Sequence, residues 1–124
     1  MSIDRLSSSA MDKILNGEVK EKATCVVKFY SNDCHFCHAL AEDYREIAEE
    51  EEFSDVHFFA FNIHDDEELQ QKLKFNGVPT ISVISTTEAE TPPRVRVMPE
   101  PDPPHDHTWY YTKDIKSFIQ KEIK

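Results

Sequence analysis

The residues most able to carry out chemistry are two cysteines separated by two positions, Cys34 and Cys37, which directly follow the apolar run 25–30. If a helix begins at this point, the two sulfurs lie one helical turn apart and can be oxidised and reduced with little backbone movement. A CxxC pair that follows a strand is typical of a redox-active dithiol. Unpaired amides at a helix N-terminus lower a thiol pKa, so we expect Cys34 to be the nucleophile, with a pKa below the ~8.5 of free cysteine. Cys37 is then the resolving thiol.

The elements that position this pair follow from hydrophobic periodicity. Residues 24–30 are rich in β-branched and aromatic side chains, which predicts a buried strand. From Cys34 to Ala48, apolar residues recur at steps of three and four, which predicts one buried face of a helix. The other expected elements are a weak strand at 3–6, a helix at 10–15, a strand at 56–63, a helix at 67–74, strands at 80–84 and 95–98 joined by a hairpin across 85–93, and a helix at 113–123.

Local signals also predict where the helices begin and end. Residues 31–33 supply turn and capping side chains ahead of the CxxC helix, and two aspartates at 65–66 are expected to cap the helix that follows them. The Asn-Gly pairs at 16–17 and 76–77 are expected to end helices, and Thr112 to cap the last one.

Composition limits the possible classes of protein. A length of 124 residues favours a single domain over residues 1–124. The formal net charge of −10 argues against nucleic acid and membrane surfaces as partners. No apolar stretch approaches the length of a membrane-spanning helix, and the first residues lack the apolar core of a secretory signal. Three cysteines fit one redox pair and one leftover thiol better than a structural disulfide framework, so we expect a cytoplasmic protein. We also expect a monomer.

A second motif sharpens the interpretation. Gly77, Val78, Pro79 and Thr80 lie about forty residues after the CxxC pair and precede another apolar run. With the element order, the two motifs resemble the thioredoxin superfamily, including protein disulfide isomerase-like domains, over residues 10–98 and the final helix. The resemblance implies an α/β thioredoxin fold, in which a central mixed sheet is flanked by helices on both faces. It also implies that the Val78–Pro79 bond is cis, and that the backbone of Val78 pairs with an extended substrate segment beside the CxxC pair.

The sequence departs from the usual Trp-Cys-Gly-Pro-Cys motif of that superfamily. Asp33 replaces the aromatic residue before the first cysteine, and His35 and Phe36 lie between the two cysteines. His35 and His38 add positive charge near Cys34 when they are protonated, whereas Asp33 opposes it. We expect the histidines and the helix end to outweigh one solvated carboxylate. Phe36 is expected on an apolar rim near the sulfurs.

Two further departures concern a buried position and an insertion. By spacing, Lys28 occupies the position of the acid that the superfamily buries beneath the second cysteine. A cationic Lys28 would favour the thiolate and raise the reduction potential, a neutral Lys28 could act as a base, and a Lys28 that reaches solvent would do neither. A proline-rich insertion at about 99–108 has no counterpart in a minimal thioredoxin and is expected to form an extended loop.

The predicted function is thiol–disulfide exchange on protein disulfides through the CxxC dithiol, with no cofactor and no metal. The expected partners are protein substrates and a reductase or a small-thiol recycler. A glutathione-dependent reductase and a non-enzymatic interaction module are the alternatives. The segment from Cys34 to His38 also fits a CxxCH haem-attachment pattern, and His105 and His107 could complete a zinc or iron–sulfur site, but a haem context and a clear second ligand pair are absent from the sequence.

Overall fold

A mixed sheet forms the centre of the protein. The structure is a computed structural model that describes residues 3–88 and 92–123. Within these residues the strands occur in the spatial order β1-β3-β2-β4-β5, with β2 parallel to β3 and antiparallel to β4. The strands are β1 (Asp4–Arg5), β2 (Ala23–Tyr30), β3 (His57–Asn62), β4 (Thr80–Thr86) and β5 (Arg94–Val97).

Helices cover both faces of this sheet. The helices of the described residues are α1 (Ser8–Leu15), α2 (His35–Ala48), α3 (Leu69–Lys72) and α4 (Thr112–Glu122), with 3-10 turns at Glu51–Phe53 and Ile63–Asp65. Alternate residues of β2 point to opposite faces, as a pleated strand requires. Val26 packs with α2 and α4, whereas Val27 and Phe29 pack with α1 and α3.

Each face has its own apolar core. One core joins Leu40 and Ile47 of α2 to Ile115 and Ile119 of α4, with Ile81 of the sheet between them. The other is built around α1 and α3 and includes the side chains of Met11, Ile14, Leu69, Phe29 and Phe61. The predicted α/β fold, with a mixed sheet between two helical layers, is therefore confirmed.

Most predicted elements are present, and α1 also ends as predicted. Asn16 is the C-terminal capping residue of α1, and Gly17 follows with φ 75, a conformation that glycine adopts without strain. The predicted hairpin of β4 and β5 pairs in antiparallel register, with Ile84 opposite Val95. Residues 89–91 of its connection, like Met1, Ser2 and Lys124, lie outside the described residues.

The prediction for α3 was wrong in length and at both ends. Four residues form the helix instead of eight, and the predicted caps at 65–66 lie in and beside the 3-10 turn. The C-terminal capping residue is Leu73, and Lys74 leaves the helix at φ 61 before Asn76 and Gly77 are reached. The segment is short and carries few apolar residues, so periodicity gave a weak signal for its bounds.

The predicted N-terminal caps of the other two helices also need correction. Cys34 itself caps α2, in place of residues 31–33. Thr112 is the first residue of α4, and the capping position is held by Tyr111 without a side-chain hydrogen bond. In both cases the capping position lies one residue away from a predicted capping side chain, Asp33 or Thr112.

Candidate active site

Cys34 and Cys37 form a disulfide at the N-terminus of α2. Cys34 has an extended backbone, φ −88 and ψ 108, and its Sγ accepts the backbone N–H of Cys37 at 3.0 Å. Cys34 is partly exposed, whereas Cys37 is 2 % exposed. Cys34 is therefore the sulfur of the pair that a partner molecule can reach.

The loop before β4 reaches the exposed sulfur. The Val78–Pro79 peptide bond is cis, and the carbonyl oxygen of Val78 lies 3.7 Å from Sγ of Cys34. A disulfide sulfur has no proton to donate, so this distance is a contact here and becomes a possible hydrogen bond once the thiol forms. The hydroxyl of Thr80 donates to the carbonyl of Gly77 at 2.6 Å and holds the loop closed. The structure thus brings Val78 and Pro79 to the cysteine pair.

Lys28 lies beneath the buried sulfur. It is 6 % exposed on β2, and its Nζ lies 5.2 Å from the ring centroid of Tyr44 and 6.0 Å from that of Tyr30. Its side chain and Cys37 line the same cavity of about 290 Å³. Burial lowers the pKa of Lys28 from an ordinary 10.5 to about 8. No carboxylate among the described residues forms an ion pair with Lys28, so the contacts that favour its cation are those with the faces of the two aromatic rings.

The remaining predicted residues surround the disulfide on its outer side. Asp33 and His35 are exposed, and Phe36 is partly exposed. The Nε2–H of His38 donates to the carbonyl of Asn32 at 2.8 Å, which ties the helix to the turn before it. His38 also lines the cavity that contains Lys28 and Cys37. The ring centroids of His35 and Phe36 are 6.0 Å apart.

The sequence did not predict that the proline-rich insertion would return to this site. The ring centroid of Trp109 lies 5.6 Å from that of Phe36, and that of His107 lies 6.0 Å from that of His35. Residues 99–104 form neither helix nor strand, which agrees with the predicted irregular loop. The contacts join residues about seventy positions apart, and the only hint in the sequence was the single tryptophan directly after the insertion.

The third cysteine takes no part in this site. Cys25 is a free thiol on β2, 7 % exposed, on the face of the sheet that packs against α1 and α3. Burial raises its pKa to about 11, so at neutral pH it remains a protonated thiol. This placement is typical of an unreactive buried cysteine.

The described part of the chain does not bring the candidate metal ligands together. It contains no group of three His, Cys, Asp or Glu side chains that could hold a metal ion. Nδ1 of His105, one of the candidate ligands, instead accepts the backbone N–H groups of His107 and Thr108 at 3.0 and 3.3 Å.

In residues 3–88 and 92–123, no helix has the length and apolarity needed to cross a membrane.

This topology, with a disulfide across a helix N-terminus beside a cis-proline loop, defines a thioredoxin-fold protein. The thioredoxin family profile matches residues 6–96. The chain therefore belongs to the thioredoxin family. A search among curated proteins found no match.

Solved structures agree on the fold. Thioredoxin f from spinach chloroplast is 18 % identical, with a TM-score of 0.70 and coverage of 98 % of this chain and 94 % of that chain. A complex of ferredoxin:thioredoxin reductase with thioredoxin f2 contains a similar chain, 16 % identical, with a TM-score of 0.71 and coverage of 98 and 96 %. The Trx4 domain of ERdj5 is 17 % identical, with a TM-score of 0.65 and coverage of 99 and 96 %.

Proposed function

We propose that this protein is a thiol–disulfide oxidoreductase that exchanges disulfides with protein substrates through Cys34. The observation that carries the proposal is the arrangement of the sulfur pair. The two cysteines are bonded to each other at a helix N-terminus, with one sulfur accessible beside Val78 and the other buried. A disulfide with only a structural role does not require an accessible sulfur. Here the accessible sulfur lies next to a backbone carbonyl with which an extended substrate could form a hydrogen bond.

The first step starts from the reduced protein. The thiolate of Cys34 attacks one sulfur of a substrate disulfide and forms a mixed disulfide, while the other substrate sulfur leaves as a thiolate and takes a proton from solvent. The amides at the start of α2 stabilise the attacking thiolate, as the N–H of Cys37 does for this sulfur in the oxidised structure. The backbone of Val78, next to Cys34, offers the substrate chain a strand-like partner.

The second step resolves the mixed disulfide. Cys37 loses its proton to the amine of Lys28 when that amine is neutral, and otherwise to solvent. Its thiolate attacks Sγ of Cys34, the bond to the substrate breaks, and the second substrate sulfur leaves as a thiolate. Two electrons have then passed from the dithiol to the substrate, and the protein is left with the Cys34–Cys37 disulfide of the structure. The reverse sequence oxidises a substrate dithiol.

A full cycle needs a partner that restores the starting state. We infer that a reductase protein or a small thiol fills this role, and the similar thioredoxin f2 has been solved in complex with a reductase. The recycling partner and a monomeric state stay predictions. The cytoplasmic location also stays a prediction, because one of the similar structures is a chloroplast protein.

Trapping the intermediate tests the proposal. Reduced Cys37→Ser protein is incubated with a disulfide-containing protein such as insulin, and the adducts are identified by mass spectrometry after alkylation. We expect a covalent adduct on Cys34, because the variant lacks the thiol that would resolve it. Cys34→Ser, which keeps the buried thiol, is the matched control and should form none.

The same assay separates the alternatives. Adducts with glutathione alone, and none with protein disulfides, would favour a glutathione-dependent reductase. If reduced wild-type protein fails to reduce insulin and Cys37→Ser forms no adduct above the Cys34→Ser background, catalysis is refuted and a binding module becomes the better explanation.

A further inference from the structure

The insertion forms one side of a groove next to the reactive sulfur. Glu100 and Trp109 line a cavity of about 190 Å³ together with Asn76, Val78 and Pro79. Val78 is the residue whose carbonyl contacts Cys34. A polypeptide lying along the cis-proline loop would therefore meet the insertion as soon as it extends away from the cysteine.

The segment that carries Trp109 is held in a defined conformation. Trp109 has φ 67, which is rare for a bulky side chain and persists where surrounding contacts fix it. Its N–H donates to the carbonyl of His105 at 3.1 Å, and its own carbonyl accepts the N–H of His105 at 2.9 Å. The ring then lies against Phe36. The aromatic wall of the groove is thus part of the folded site, in spite of its origin in an irregular loop.

The groove has one distinct charged feature. The side-chain amide of Asn76 donates to Oε1 of Glu100 at 3.2 Å, which orients this exposed carboxylate at the groove. No lysine or arginine in residues 3–88 and 92–123 forms an ion pair with Glu100. A carboxylate next to an indole ring suits a side chain with an alkyl stem and a cationic end. The formal net charge of −10 also favours a basic partner.

We propose that this groove selects substrate segments with a lysine or arginine close to the attacked cysteine. The alkyl stem lies on Trp109 and the cationic group meets Glu100. Val78, whose carbonyl contacts Cys34, and Asn76, which orients Glu100, line the same groove, so the selected side chain lies within a few residues of the attacked cysteine. This inference rests on the proposed exchange function, because it describes how the same site chooses its substrates.

Paired peptides test the selection. Two disulfide-linked peptides of identical length carry either arginine or glutamate two residues from the cysteine, and kcat/KM for reduction is measured with each at low ionic strength. We expect wild-type protein to prefer the arginine peptide by about fivefold, the upper end for an exposed charge pair. The preference should shrink in 0.5 M salt, where the Debye length falls to a few ångströms.

Variants assign the preference to Glu100. The ratio of the two kcat/KM values should fall towards one in Glu100→Gln and invert in Glu100→Lys. Glu18→Gln removes the same charge from a residue that does not line this groove, and should keep the wild-type ratio. Because each variant is judged by a ratio, a general loss of activity does not mimic the effect.

The outcomes distinguish this inference from the proposed function. A small uncharged disulfide reporter, too short to enter the groove, is reduced in parallel. The groove assignment alone is overturned if the wild-type protein reduces the reporter but reduces the two peptides at equal rates. It is also overturned if Glu100→Lys reduces the reporter and keeps the wild-type preference for the arginine peptide. If the protein reduces neither the reporter nor the two peptides, the exchange function is overturned, and this inference with it.

Discussion

Replacing Lys28 by methionine should stabilise the oxidised protein at neutral pH. Burial lowers the pKa of Lys28 from 10.5 to about 8, a difference of about 2.5 units. At 1.36 kcal/mol per unit, retaining the charged form in this environment costs about 3 kcal/mol. Methionine keeps most of the length of the apolar stem and removes the charged group that lies over Tyr44. The expected gain in the free energy of unfolding at pH 7 is therefore up to about 3 kcal/mol, less any cation–π stabilisation that is lost.

The sign of the pH dependence follows from linkage. The pKa of Lys28 is lower in the folded than in the unfolded state, so between about pH 8 and 10.5 the unfolded state binds more protons. The stability of the wild-type protein relative to Lys28→Met should rise across this window. Below pH 8 the penalty is fully present, and above pH 10.5 it disappears because the amine is neutral in both states.

Urea unfolding of the oxidised proteins at pH 7 and pH 10 measures this effect. The advantage of Lys28→Met should be largest at pH 7 and should be mostly lost at pH 10. Lys13→Met, which removes a charge from an exposed lysine of α1, serves as the control and should change stability by less than about 0.5 kcal/mol at both values. A variant that is less stable than wild type at pH 7, or an advantage independent of pH, would refute the reasoning.

The same substitution should alter the redox equilibrium. At pH 7, below a pKa of about 8, Lys28 is mostly cationic and favours the thiolate of Cys37 across their shared cavity. At an effective dielectric constant of ~20, such a charge pair contributes about 1–3 kcal/mol. Its loss should make the reduction potential more negative by about 20–60 mV, measured against a glutathione buffer. Identical potentials would remove Lys28 from the mechanism.

Two other predictions concern the sheet. The hydroxyl of Ser82, on β4, is fully buried and has no hydrogen-bond partner among the described residues, so Ser82→Ala should raise the free energy of unfolding by about 1 kcal/mol in urea titrations. A loss of stability would show that the hydroxyl is satisfied in solution. Cys25, with its pKa raised to about 11, should resist iodoacetamide at pH 7.5 in the folded protein and react fully once unfolded in urea. Rapid labelling in the folded state would contradict its burial.

The parts of the site that sequence predicted well depend on short-range signals. The strand before Cys34 and the helix after it have strong and different periodicities, so the cysteine pair could be placed at their junction. Pro79 could be placed through its distance from that pair and the apolar run that follows. Lys28 could be assigned a position by spacing within one strand. However, its exposure depends on Tyr44 of α2, which packs over it from another element.

The parts that sequence missed depend on long-range packing. The position of Trp109 against Phe36 is decided by how an irregular loop folds back, and no periodic pattern encodes this. Glu100 is one of many carboxylates in the sequence, and its hydrogen bond from Asn76 joins residues 24 positions apart. The end of α3 before Lys74 likewise goes with a backbone conformation that residue type did not indicate, since lysine rarely adopts φ 61.

In the proposed exchange reaction, the two sulfurs of the disulfide lie in two different environments, which act on different steps. Cys34 lies beside the loop that forms one side of the Glu100 groove, while Cys37 shares an inner cavity with Lys28. The negative charge of Glu100 acts on the partner before any bond changes, so it alters which substrate is attacked. The positive charge of Lys28 acts on the thiolate of Cys37, which resolves the intermediate, so it alters how readily electrons leave the dithiol. A protein built in this way can change its substrate range through the insertion without retuning its potential, because the two charges act on different sulfurs.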